Sequence, residues 1–116
     1  MDIYDIWFDI KPGIRDVEFS EKLAQYMGHL KEQGLVEGWR LTRRKLGLGL
    51  PELGEFHVAI EVKDLAQLEK AFQRVGSRRE PTEGFHFGVN SLVTHARFAL
   101  YRDFPDPFRH EGEERF

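Results

Sequence analysis

A chain of 116 residues and 13.6 kDa is the size of one ordinary domain. Its 17 Lys and Arg against 20 Asp and Glu leave a net charge of −3, whereas a nucleic-acid binder needs a basic excess to meet phosphates, so nucleic acid is not an expected partner. The absence of cysteine excludes disulfides, thiolate catalysis and cysteine-held metal centres; with no run near the ~18 apolar residues of a membrane span, a cytoplasmic domain without a membrane partner is expected.

Asp2 to Ile10 alternates, with Tyr4, Ile6, Phe8 and Ile10 on one face and Ile3, Asp5, Trp7 and Asp9 on the other, which predicts a strand. Pro12-Gly13 ends it. Phe19, Leu23, Tyr26, Met27 and Leu30 then recur at helical spacing, predicting a helix over Asp16 to Gln33 with Asp16 as N-cap and Gly34 as stop. Gly28 inside it suggests a close approach of helix to sheet. Val36 to Lys45 and Glu55 to Lys63 read as strands around Leu46–Gly54, a glycine-punctuated connection suited to turns or to backbone that must come close to something. Asp64 and Gln67 form a variant capping box for a helix carrying Leu65, Leu68, Phe72 and Val75. Ser77 to Val93 is expected to be irregular, because Gly84 and Gly88 interrupt the helical spacing of Phe85, Val89 and Leu92. His95 to Arg102 is the last strand, and residues 104–116 form a Pro-containing arm or tail after a single domain over 1–103.

This order, strand–helix–strand–strand–helix–strand, is most simply solved as an α+β, ferredoxin-like βαββαβ sandwich: one four-stranded antiparallel sheet with helices on one face. Setting Phe8 opposite Val58 and Phe98 makes the helix side continuously apolar. The same register puts His57, Asp9 and Arg97 in one row of the open face, Glu61, Asp5 and Tyr101 in another, and Trp7 between Ala59 and Ala99. A Trp and a Tyr sit poorly on a bare surface, and a second copy of the sheet would cover them.

The element order, together with Glu55-Phe-His-Val-Ala-Ile-Glu-Val-Lys-Asp-Leu65 and the preceding Gly38-Trp-Arg-Leu41, resembles the dimeric α/β-barrel superfamily and its small, largely uncharacterised bacterial members. The resemblance implies a homodimer closed sheet to sheet. Relatives in that superfamily include cofactor-independent monooxygenases, muconolactone isomerase-like enzymes, stress-responsive barrels and haem-binding branches. The proximal histidine of the haem branches has no match in this chain.

A small polar or anionic organic molecule on the open face is therefore the expected ligand, with cofactor-free proton-transfer or oxygenase-like chemistry. His57 is the candidate base and Asp9 orients it, while Arg97 neutralises charge. Asp5, Trp7, Glu61 and Tyr101 line the wall, and His86, between Phe85 and Phe87 beside Asn90, forms a lid or pocket wall. The alternative is a non-catalytic, stress-type barrel whose interior polar residues form a structural network. No metal or cofactor is expected: His57 and Glu61 lie roughly 13 Å apart along one strand and cannot share an ion. His29 and His110 are expected to be solvated.

Overall fold

A computed structural model describes residues 1–112 of the protein. The elements run β1 (Asp2–Ile10), α1 (Asp16–Glu32), β2 (Gly38–Arg43), β3 (Phe56–Val62), α2 (Leu65–Gly76), α3 (Thr82–Asn90) and β4 (Val93–Arg102). The strands form one sheet in the order β2-β3-β1-β4, every neighbouring pair antiparallel. This is the ferredoxin-like arrangement expected from the element order. No helix among the described residues is long and apolar enough to cross a membrane.

Local chemistry fixes the helix ends. Gly34, at φ +72°, follows α1, with Gly34 N–H bonded to the Lys31 carbonyl and Leu35 N–H to the Leu30 carbonyl. That pair of bonds is the Schellman closure, which favours glycine because only glycine adopts positive φ without strain. Asp64 Oδ1 accepts from the Gln67 N–H at 2.8 Å, and Gln67 Oε1 accepts from the Lys63 N–H at 2.7 Å, a reciprocal cap displaced by one residue from the usual box. Asp16 is the first residue of α1 and not its cap; its carboxylate faces Arg43 at 2.8 Å, which holds the carboxyl below its ordinary pKa.

The core lies between sheet and helices and contains Phe8, Phe19, Leu23, Met27, Phe56, Val58 and Ile60. Alternation assigns the strand faces as expected, but the register differs by two residues. Phe8 pairs with Phe56, not Val58, and Ile6 pairs with Phe98. The physical reason is an aromatic cluster: the Phe8 and Phe56 rings stack at 5.9 Å and Phe19 packs on both, at 5.3 and 6.3 Å. A two-residue slide keeps every side chain on its face, so parity alone could not detect it. β4 also carries a bulge between the Trp7–Arg97 and Asp9–Thr94 pairs, where His95 adopts φ +55°.

Ser77 to Val93 is not irregular throughout. Despite Gly84 and Gly88, Thr82–Asn90 forms α3, held against α1 by His29 Nε2 at 2.8 Å from Thr82 Oγ1 and by His29 stacked on Phe85 at 5.0 Å. His29 is thus a helix–helix contact and not a solvated side chain, and Thr82 is 1% exposed. Residues 113–116 of the expected arm lie outside the described residues.

Two glycines test this account in opposite directions. A Cβ on Gly54 would collide with the Phe8 backbone, whereas one on Gly28 would meet nothing within 4 Å, so no close helix–sheet approach explains Gly28. Gly54→Ala should lower unfolding stability by about 2 kcal/mol or more. Gly28→Ala should raise it by up to ~1 kcal/mol. Urea denaturation measures both.

Candidate functional site

On the open face the corrected register gives the histidine a different partner. Asp5 lies opposite Ala59 and Ala99, whose small side chains leave it room, and is only 7% exposed. His57 Nε2 stands 2.7 Å from Asp5 Oδ1, and the Trp7 indole stacks on the imidazole at 4.6 Å and 12°. A buried carboxylate with a charge-assisted hydrogen bond and an aromatic cover is a satisfied unit.

Asp9 does not reach His57. Its Oδ1 accepts from the Glu55 N–H at 2.9 Å and its Oδ2 lies 3.4 Å from His95 Nδ1, so it ties the start of β3 to the β4 bulge. The expected His57–Asp9–Arg97 row is therefore not formed. Arg97 pairs with Trp7 across the ladder but sends Nη1 to the Ala96 carbonyl at 3.1 Å. Glu61 and Tyr101 flank Ile3, two residues along β1 from Asp5, so the expected row of Glu61, Asp5 and Tyr101 does not form either. An open groove adjoins Trp7 and His57 under the Leu48–Gly54 loop.

A deeper, partly open space lies on the other side of the sheet. A cavity of about 350 Å³ opens between the helices and the β3, β1 and β4 part of the sheet. Its walls are hydrocarbon and aromatic, including Leu23, Met27, Ala71, Phe72, Ala96 and Phe98. It exists because the helix layer does not cover β4: Phe98 and Leu100 point to the helix side yet remain 61% and 52% exposed. At its mouth the Tyr4 ring packs edge-on to Phe72 at 5.4 Å and parallel to Phe98 at 6.1 Å.

The polar part of this lining is small: Tyr4, Tyr26, His86 and Asn90. His86 and Asn90, four apart on α3, share one face of that helix, and the Tyr26 ring lies 5.8 Å from His86. His86, expected as a pocket wall from its position in the sequence, stands in this wall, on the face of the sheet opposite to His57. Tyr26 was hidden among the apolar positions of the α1 stripe, where a tyrosine reads as core. Burial, with the nearby Glu83 charge and Tyr4, pushes the Tyr26 phenol up to about 12, while burial alone raises that of Tyr4. Both hydroxyls are hydrogen-bond donors at neutral pH. No group of three or more His, Asp or Glu among the described residues could hold a metal ion.

The Tyr26 shift carries a stability consequence. A phenol whose folded pKa exceeds its unfolded value of 10.0 keeps its stabilising contribution below that value and loses it as pH rises toward about 12. Between pH 10 and 12 the protein should therefore lose on the order of 1–2 kcal/mol more stability than Tyr26→Phe does, as read from urea midpoints across that range.

No curated protein matches the chain in sequence. Among solved structures, a protein from Arabidopsis thaliana aligns with a TM-score of 0.71 at 7% identity, covering 93% of this chain and 100% of that one. SnoaB, a cofactor-independent oxygenase from Streptomyces nogalater, aligns with a TM-score of 0.65 at 14% identity, covering 93% and 97%. A dimeric ferredoxin-like protein of unknown function from Bacteroides fragilis aligns with a TM-score of 0.59 at 7% identity, covering 88% and 95%. Such identities establish the shared fold alone. The model of a family of unknown function, DUF6614, matches residues 1–116, and the chain belongs to that family.

Proposed function

We propose that the protein is a homodimeric small-molecule-binding barrel, in which each protomer holds a largely apolar organic molecule in the cavity between its helices and its sheet. The cavity itself carries this reading: about 350 Å³ of hydrocarbon-walled space with a few convergent polar groups matches the make-up of small-molecule sites. The reading moves the ligand from the open face to the helix side and from polar or anionic to mainly apolar. In this reading cofactor-free proton-transfer or oxygenase-like chemistry belongs to His86 and Tyr26, which border the cavity, and not to His57 and Asp9.

The open face has a different task in this reading. Trp7, Ile3, Ala59, Ala99 and Tyr101 make a mixed patch around the buried Asp5–His57 pair, and a second copy covers it. The polar residues there act as the structural network of the stress-type alternative. The dimeric relative from Bacteroides fragilis supports the assembly by analogy of fold.

Light scattering at micromolar concentration should give twice the 13.6 kDa chain mass. Tyr101→Glu, at an exposed open-face position, should weaken the dimer at least about tenfold with unchanged circular dichroism; a wild-type monomer would remove the assembly. Ligand binding is tested by calorimetry with a naphthalene-sized apolar probe. Ala71→Phe, or the milder Ala96→Leu, should fill the cavity and reduce its affinity by roughly tenfold. Binding unaffected by either substitution would place the site elsewhere.

A further inference from the structure

We infer that His86 presents an N–H donor from Nε2 into the cavity, with Arg78 and Glu83 as positioning residues behind it, so that the bound molecule is a ring-bearing, largely apolar compound carrying a carbonyl or enolate oxygen. This rests on the cavity being a ligand site.

The order of charges behind the imidazole sets its proton. Arg78 Nη1 lies 3.4 Å from His86 Nδ1. A guanidinium has no acceptor, so the nitrogen facing it accepts and carries no proton. The ring proton then sits on Nε2, the edge left for the cavity that His86 lines. Glu83 Oε1 holds Arg78 in place at 3.3 Å. The other oxygen, Oε2, is buried without a hydrogen-bond partner, 3.8 Å from Nδ1, which is beyond hydrogen-bond reach. Its negative charge offsets the guanidinium at the imidazole. Arg78 occupies the left-handed region at φ +59°, an uncommon conformation for a non-glycine residue and one that the surrounding structure must impose.

The remaining polar groups can donate as well. The Tyr26 hydroxyl stays protonated, and the Asn90 amide stands one helical turn beyond His86. Glu83, the carboxylate of this group, sits behind the histidine and is not part of the lining. With Tyr4, four lining side chains can donate to an oxygen acceptor, and the His86 Nε2–H selects for one because an N–H cannot accept. The rings of Tyr4, Phe72 and Phe98 at the mouth suit a flat hydrocarbon body on the same molecule.

The test compares 2-acetylnaphthalene with 2-isopropenylnaphthalene, which has nearly the same shape but a methylene in place of the carbonyl oxygen. Calorimetry on the full chain should show the ketone binding five- to tenfold tighter, the size expected of about one neutral hydrogen bond. His86→Phe should erase that preference while changing the affinity for the alkene by no more than about twofold. Long-range proton–nitrogen spectra of the free protein should show His86 protonated on Nε2, and Arg78→Ala should release that tautomer. Equal affinity for the two probes, or a wild-type His86 protonated on Nδ1, overturns the donor assignment and leaves the cavity reading standing. Failure of both probes to bind overturns the cavity reading and this inference with it.

Discussion

The helix layer is smaller than the sheet it covers, and the rest of the molecule follows from that mismatch. α1 and α2 bury their stripes against the sheet, and Phe19, Leu23, Met27 and Leu68 belong both to that core and to the inner wall of the cavity. Over β1 and β4 the remaining cover includes the short α3, which brings His86, Val89 and Asn90 to the edge of the space left open. Close packing elsewhere makes this gap informative, since protein interiors rarely leave hundreds of cubic ångströms unfilled without a use for them. The exposed Phe98 and Leu100 belong to the same shortfall.

The two faces of the sheet solve different electrostatic problems. On the open side an ionisable pair is sealed under an indole, and its bond is made within one protomer. On the helix side the charges of Arg78 and Glu83 stay behind His86, and the cavity itself is left nearly free of charge. Low polarity in the cavity strengthens whatever dipoles face it, and this is why a few polar atoms can define the chemistry of a mostly hydrocarbon space.

Element order, face assignment, the capping of α2 and the glycine stop of α1 were legible in the sequence because each rests on periodicity or on a local conformational preference. Register was not, because Phe8 opposite Phe56 and Phe8 opposite Val58 give the same alternation, and only the fit of three aromatic rings separates them. That slide is what exchanged Asp9 for Asp5 as the partner of His57. The β4 bulge adds a single residue at His95 and leaves no periodic trace. α3 was obscured by Gly84 and Gly88, whose helix cost is overcome by packing on α1 through His29 and Phe85. His86 reads from its aromatic neighbours only as a candidate lid or pocket wall, and its place on the helix side of the sheet depends on a helix that sequence propensity argues against.

Gln67 is more than a cap. Besides closing the start of α2, its Nε2 donates to the Gly34 carbonyl at 3.0 Å and to Glu37 Oε2 at 2.9 Å. One amide thus joins the end of α1 and the neighbouring approach to β2 to the beginning of α2, 33 and 30 residues away along the chain. Segments tied through a shared side chain tend to open together. The corner around Gly34, Glu37 and Lys63 should accordingly behave as one cooperative unit in hydrogen exchange, and breathing motions that admit solvent elsewhere in the fold need not loosen it.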